Sequence, residues 1–285
     1  MMRPQLYIGG DSMATKVPSH YTESKEIVSG IQKLAYKHPV EQIFQDWLEI
    51  CAIAVSNSVD WREREDREKR YLMLINKYDR EEQQQLVELF AKLVMALEAE
   101  AQSGTPCDIL GGVFRGLELH NKYKGQFFTP NHVCNLMGDL MIDVDLTEMI
   151  NSQGYVSVCE PCIGSGGIVI GFAAAMADKN WNYQQQMCVT ACDIDLKCVH
   201  MAYLQLSLYG IPAVVVHGNS LTMEEWSHWY TPSYITGFWD MRERQKRRGT
   251  TESSTEYVST NESIMDDIQE EVELKVDESG QIRMF

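Results

Sequence analysis

Tyr155-Val156-Ser157-Val158-Cys159-Glu160-Pro161-Cys162-Ile163-Gly164-Ser165-Gly166-Gly167 is the stretch that decides the fold. A short β-branched run that breaks into a glycine-rich turn reads as a buried strand feeding a helix. Glycine lets such a turn adopt positive φ and lets a ligand approach the backbone. Open α/β sheets bind ligands beyond the carboxyl ends of their strands. Glu160, at the strand tip, is therefore placed to accept hydrogen bonds from a ligand amine or hydroxyl. Two more apolar runs follow. Met187 to Cys192 ends in Asp193-Ile194-Asp195, and Ala213 to Val216 ends in His217-Gly218-Asn219-Ser220-Leu221. Upstream lies Gly125-Gln126-Phe127-Phe128-Thr129-Pro130.

These four segments, in this order, resemble the N6-adenine DNA methylases, specifically the modification subunits of type I restriction systems. The family places G-Q-F-[FY]-T-P before a [DE]-P-x-x-G-S-G loop. An acid then ends the second strand, and G-[DN]-x-L follows the third. The resemblance runs from about Asp108 to Leu221 and includes Asp108 to Gly111 and Ala202 to Leu206. It implies an α/β fold: a Rossmann-like S-adenosylmethionine-dependent methyltransferase core with an α-helical N-terminal region. It also implies S-adenosylmethionine as cofactor. Glu160, with Pro161, Gly164, Ser165 and Gly166, matches the loop that holds the methionine part. A carboxylate there can pair with the ligand's α-ammonium. Asp193, followed by Ile194, matches the acid that takes the two ribose hydroxyls. Asn219 matches the residue reaching the adenine amine, with its carbonyl as acceptor. Phe127, Phe128 and Thr129 match the segment that closes over the cofactor. Each of these positions also has an ordinary structural reading. One phenylalanine can be core, Asp193 can cap the helix from about Leu196, and Asn219 and Ser220 can be turn residues.

The resemblance breaks after the third strand. The family's catalytic [ND]-P-P-[FY] holds the flipped adenine, and no such tetrapeptide occurs in this chain. The nearest segment is Thr231-Pro232-Ser233-Tyr234, which keeps one proline and the aromatic. Its Thr231, Pro232 and Tyr234 are the catalytic candidates. The polar, aromatic stretch Thr222 to Tyr230 reads as a short helix. Only about ten residues separate Leu221 from Thr231, too few for a crossover helix and a strand. Three strands are about half the family's sheet. The uncovered edge must meet the N-terminal helices, a second copy or a partner.

The 285 residues are 44% hydrophobic, enough for a sizeable core. No apolar run reaches membrane-spanning length, so the expected setting is the cytoplasm. The chain divides into a flexible arm (1–24), a helical domain (25–124), a cofactor-binding methyltransferase-like domain (125–240) and a basic, then acidic, disordered tail (241–285). Val40, Ile43, Phe44, Trp47, Leu48, Cys51 and Val55 show helical spacing. So do Leu86, Leu89, Phe90, Leu93, Val94 and Leu97. Asp79 with Glu82 reads as a capping box, and Gly104 and Pro106 stop that helix. The charged stretch Trp61 to Arg70 reads as a solvated helix face.

The eight cysteines include Cys159-x-x-Cys162 and Cys188-x-x-x-Cys192. These fall in strands and in the glycine loop, so they read as free thiols rather than a metal site. The net charge of −16 argues against broad nonspecific DNA binding. Half of it lies in the tail: Thr251 to Phe285 holds ten acids and two bases. Arg242, Arg244, Lys246, Arg247 and Arg248 form a basic cluster before it, either a solvated linker or a phosphate contact. Two functions follow. One is transfer of a methyl group to adenine N6 in DNA. The other is cofactor binding or interaction without transfer, as an inactive relative or as half of an enzyme. DNA, a specificity or completing subunit and further copies of the chain are the expected partners.

Overall fold

The computed structural model describes residues 19–119, 128–142, 144–245, 275–276 and 282–283. Apolar side chains at three- and four-residue spacing coil the first part into α1 (Ser19–Leu34), α2 (Val40–Asn57), α3 (Arg64–Ile75), α4 (Arg80–Gln102) and α5 (Ile109–Gly116). α1 begins inside the expected arm; the remainder of that arm lies outside the described residues. The capping box of α4 is present. Asp79 accepts from the Glu82 amide at 3.0 Å, and Glu82 accepts from the Asp79 amide at 2.8 Å. Trp47 joins α2 to α4 by donating from its ring nitrogen to the Leu86 carbonyl at 3.2 Å.

Next come α6 (Asn131–Met141), α7 (Val144–Gln153) and β1 (Val156–Glu160). They are followed by α8 (Gly167–Asp178), a four-residue α9 (Tyr183–Gln186) and β2 (Met187–Asp193). The pattern repeats with α10 (Leu196–Leu208) and β3 (Ala213–Asn219). β1 pairs parallel with β2, and β2 with β3. Parallel neighbours need crossovers of a dozen residues or more, which α8 and α10 supply. α6 crosses α8 where two glycines meet. A Cβ on Gly138 would stand 2.4 Å from the Gly171 carbonyl oxygen, and one on Gly171 would stand 2.4 Å from that of Cys134.

The stretch read as a short helix is instead β4 (Glu224–Tyr230), antiparallel to β3. Its aromatic residues, Trp226, Trp229 and Tyr230, suit a pleated, half-buried surface. A hairpin return also needs no crossover helix, so the ten residues suffice. The turn passes through Met223 at φ +59°, and the ladder shifts register between His217 and Gly218. The sheet order is β1-β2-β3-β4. Among the described residues no strand pairs with the outer edge of β1. The outer edge of β4 is met by Arg67, whose Nη2 donates to the His228 carbonyl at 2.8 Å. Arg67 also bonds Ser56 and Asp60 and lies 4.4 Å from the Trp229 ring centroid. It is buried, unlike most of the Trp61–Arg70 stretch, so that face is not wholly solvated. Then α11 (Pro232–Thr236) follows.

Residues 1–237 form one compact unit, and a single core runs from Ile27 through Leu110 and Tyr203 to Trp229. Residues 238–285 form a second unit. Its described parts are a helix over 239–245 and a two-residue ladder, β5 (Lys275–Val276) with β6 (Ile282–Arg283). The ladder falls within the expected disordered tail. Lys246, Arg247, Arg248 and most of that tail lie outside the described residues.

One buried network joins α10, α5 and the glycine loop. Gln205, fully buried, accepts from the Ile109 and Leu110 amides at 2.8 and 3.0 Å. It donates to the Asp108 carboxylate at 2.9 Å and the Ser165 carbonyl at 2.7 Å. Asp108 caps α5 through the Gly111 amide at 2.7 Å and accepts from the Ser165 hydroxyl. Gln205→Leu keeps the volume but strips both amides and both acceptors of this partner. It is expected to lower unfolding free energy by about 3 kcal/mol or more, read from the urea midpoint at constant m-value. Gly171→Ala should cost about 1–3 kcal/mol through overpacking, because the new methyl meets backbone rather than a side chain that can turn away.

Candidate functional site

The strand tips bring three of the predicted polar residues to one edge of the sheet. Glu160 ends β1, Asp193 ends β2 and Asn219 ends β3. Glu160 is in register with Ala191, and Asp193 with His217. Each tip therefore stands two residues beyond its neighbour, and the three form a staircase along the carboxyl edge.

The glycine loop closes over this staircase. Gly164 and Gly166 have φ of +57° and +96°, a region closed to most side chains. A Cβ on Gly164 would meet the Phe128 ring at 3.2 Å. Phe128 thus lies against the loop, with its ring edge-on to Phe114 at 4.7 Å between centroids. It packs on the core and lines the loop at once. Thr129 is half-buried, Pro161 is exposed and Ile194 is exposed. Phe127 lies outside the described residues.

Each polar tip already steadies a loop. The Glu160 carboxylate accepts from the Cys162 amide at 3.1 Å. Asp193 accepts from the Gly164 amide and the Asp195 amide, both at 2.9 Å. It does not cap the following helix: Asp195 does, accepting from the Lys197 amide at 2.9 Å. Burial pushes the Asp193 carboxyl above the usual carboxylate range, against the pull of these amides. The Asn219 carbonyl accepts from the Leu221 and Thr222 amides at 3.0 and 3.3 Å. Both contacts engage the side-chain oxygen, so Asn219 shapes the turn that follows β3. The Ser165 hydroxyl belongs to Asp108 and faces the core.

Thr231, Pro232 and Tyr234 do not join the staircase. β4 runs back along β3, pairing Tyr230 with Val214. Thr231, fully buried, donates from its hydroxyl to the Ile211 carbonyl at 2.8 Å and accepts from the Ala213 amide at 2.9 Å. This pins it at the amino end of β3. At about 3.3 Å per residue, that is roughly 20 Å from Asn219. Pro232 and the buried Tyr234 continue into α11 beside it. Their observed work is to close the sheet's amino end.

Two residues essential to this edge were not marked as site residues by sequence reading. Asp108 and Gln205 touch the glycine loop from beneath. The signal available was a lone glutamine in an otherwise apolar helical run, Ala202-Tyr203-Leu204-Gln205-Leu206. Among the described residues no group of three or more histidine, cysteine or acidic side chains is arranged to hold a metal ion. No helix among them is long and apolar enough to cross a membrane.

Residues 108–271 match the family model described as N-6 DNA Methylase. No curated protein matches the chain. Three solved structures show distant likeness. A candidate class I S-adenosylmethionine-dependent methyltransferase from Listeria monocytogenes is 12% identical, with 72% of this chain and 55% of that one covered and a TM-score of 0.38. The methyltransferase subunit of a type I restriction-modification system from Streptococcus thermophilus is 14% identical, with 68% and 56% covered and a TM-score of 0.29. The DrdV–DNA complex, solved by cryo-electron microscopy, is 11% identical, with 73% and 26% covered and a TM-score of 0.27. The chain spans about half the length of the first two. The family match covers more than half of the chain's own residues, including the glycine loop and all three strand tips: the chain belongs to the N-6 DNA methylase family.

Proposed function

We propose that the chain binds S-adenosylmethionine at the carboxyl edge of β1, β2 and β3, within a Rossmann-like methyltransferase core. The observation that carries this reading is the staircase of Glu160, Asp193 and Asn219 beneath a loop held at positive φ. Two acids and an amide there suit the cofactor's groups. Glu160 takes the α-ammonium, since a carboxylate with one amide contact has lone pairs to spare. Asp193 takes the ribose hydroxyls. Asn219 donates to an adenine ring nitrogen. Bound S-adenosylmethionine supplies an electrophilic methyl group on its sulfonium sulfur. The protein's part is to orient the cofactor and to hold the loop still while it binds.

We further propose that methyl transfer to adenine N6 in DNA is completed by a second polypeptide. Two observations favour this over transfer by the isolated chain. Thr231, Pro232 and Tyr234 stand at the far end of the sheet, with the threonine hydroxyl committed to backbone. The outer edge of β1 is unpaired among the described residues, leaving room for a strand from a partner. In this reading the partner brings the group that holds the target base. DNA and a specificity subunit belong to the assembled enzyme.

Calorimetric titration of the purified chain with S-adenosylmethionine tests the first proposal. Glu160→Ala should weaken binding by about ten- to a hundredfold, the worth of a charge-assisted hydrogen bond. A wild-type chain that takes up no cofactor overturns it. The Asp193 shift gives a second readout. The ionised carboxylate accepts from both ribose hydroxyls more strongly than the neutral acid, and burial raises this carboxyl above its ordinary 3.8. Affinity should therefore fall as pH drops, beginning above the pH at which an ordinary aspartate protonates. Asp193→Asn should flatten that dependence. For transfer, tritiated cofactor and unmethylated DNA should yield no label with the chain alone. Label on adenine that vanishes in Glu160→Ala would show the chain to be self-sufficient.

A further inference from the structure

Granted the cofactor reading above, on which this step rests, we infer that Trp226 stacks on the adenine ring of S-adenosylmethionine, from a position that a bulge in β4 creates. The two tryptophans of β4 have different surroundings. Trp229 is buried, with the Arg67 guanidinium 4.4 Å from its ring centroid and His200 edge-on at 4.7 Å. It anchors the strand to the core. Trp226 is 50% exposed, and its ring meets His217 edge-on at 4.8 Å between centroids. A half-exposed tryptophan means little by itself; the place of this one is what matters.

The bulge lies level with the strand tips. His217 of β3 is in register with Ser227, and the next residue, Gly218, with Glu225. Trp226 is therefore the extra residue of β4, without a partner on β3. An extra residue breaks the alternation of a strand and re-aims a side chain, and bulges recur beside binding sites for that reason. Gly218 permits the close approach, because a Cβ there would stand 2.3 Å from the Glu224 carbonyl oxygen. The indole meets His217, and His217 is the in-register partner of Asp193 on β2. Asp193, His217 and Trp226 thus follow one another across three strands. Neighbouring strands lie about 4.8 Å apart, so the row is about 10 Å long. That is comparable with a nucleoside laid across the strand tips from ribose to base.

The chemistry changes along the row in the same sense. Asp193 at one end suits the ribose hydroxyls. The indole at the other end offers a flat, electron-rich face on which a purine stacks. Ile194, 62% exposed beside Asp193, adds apolar surface. Two other aromatic rings nearby are already covered. Arg64 lies 4.4 Å from the Trp61 centroid and Arg62 lies 3.9 Å from that of Tyr230. Among the described residues no guanidinium or ammonium group covers Trp226 in this way.

The test uses the full chain, with S-adenosylmethionine by calorimetry and adenosine by tryptophan fluorescence. Trp226→Val removes the ring and keeps a residue suited to a strand. Trp226→Phe keeps a smaller ring and removes the fluorophore. Glu160→Ala marks the methionine end. Trp226→Val should weaken both ligands by about five- to a hundredfold, the range for one stacked base, and Trp226→Phe should recover most of that loss. Adenosine should quench the wild-type emission, and the quench should be lost in Trp226→Phe. Glu160→Ala should weaken S-adenosylmethionine and leave adenosine unaffected. Wild-type affinity for both ligands in Trp226→Val, or a full quench in Trp226→Phe, overturns the stacking role while the cofactor reading stands. A quench that depends on Trp226, with S-adenosylmethionine affinity indifferent to Glu160→Ala, sustains the stacking role and overturns the reading of the methionine end. A wild type that takes up neither ligand overturns both.

Discussion

Gln205 is the contact on which the arrangement of this protein depends. A glutamine in the middle of an apolar helix must find partners for both ends of its amide. Here it finds them on two separate elements. Its oxygen satisfies two of the orphan amides at the start of α5. Its nitrogen grips Asp108 and the glycine loop. Asp108, almost wholly buried, is affordable only because three donors surround it. The loop is thus clamped from below by Ser165 and from the side by Asp193. Such clamping fixes the loop's backbone before anything touches it, so little of its conformation is left free to reorganise.

Much of this was legible in the residues. Strands β1, β2 and β3 announce themselves by β-branched runs that stop at polar tips, and the glycine loop by residues that tolerate positive φ. The capping box at Asp79 and Glu82 lay where a short-range rule puts it. What was hidden depends on partners far along the chain. β4 carries charges and no β-branched residue, so its own sequence says little; pairing with β3 makes it a strand. Arg67 looks like its solvated neighbours until β4 presents a carbonyl and an indole face to it. Asp193 and Asp195 are two residues apart, and either satisfies the rule for a helix cap. Only the folded chain shows that Asp195 caps, while Asp193 holds Gly164. Likewise the residues put Asn219 at the tip of β3, but only the folded turn shows its oxygen accepting from the Leu221 and Thr222 amides.

The two edges of the sheet are treated differently. An exposed strand edge invites pairing with another chain. At β4 the fold blunts that tendency by placing a buried guanidinium against a carbonyl of the outer edge. At β1 no comparable device is present among the described residues. Elsewhere, α6 leaves Leu136, Met137, Leu140 and Met141 exposed, while its opposite side meets α8 through glycine. Among the described residues the β1 edge is therefore the less protected of the two.

Overall charge and local charge then play different parts. A net charge of −16 repels a polyanion at long range. Salt limits that repulsion to about 8 Å at physiological ionic strength, and half of the excess negative charge lies beyond residue 250. Where the fold does bury an acid, donors meet it at short range. Asp108 accepts from the Gly111 amide, the Ser165 hydroxyl and the Gln205 amide, and Asp60 from Arg62 and Arg67. Buried charge is thus balanced within the fold, and the net excess is left to exposed side chains, where salt screens it.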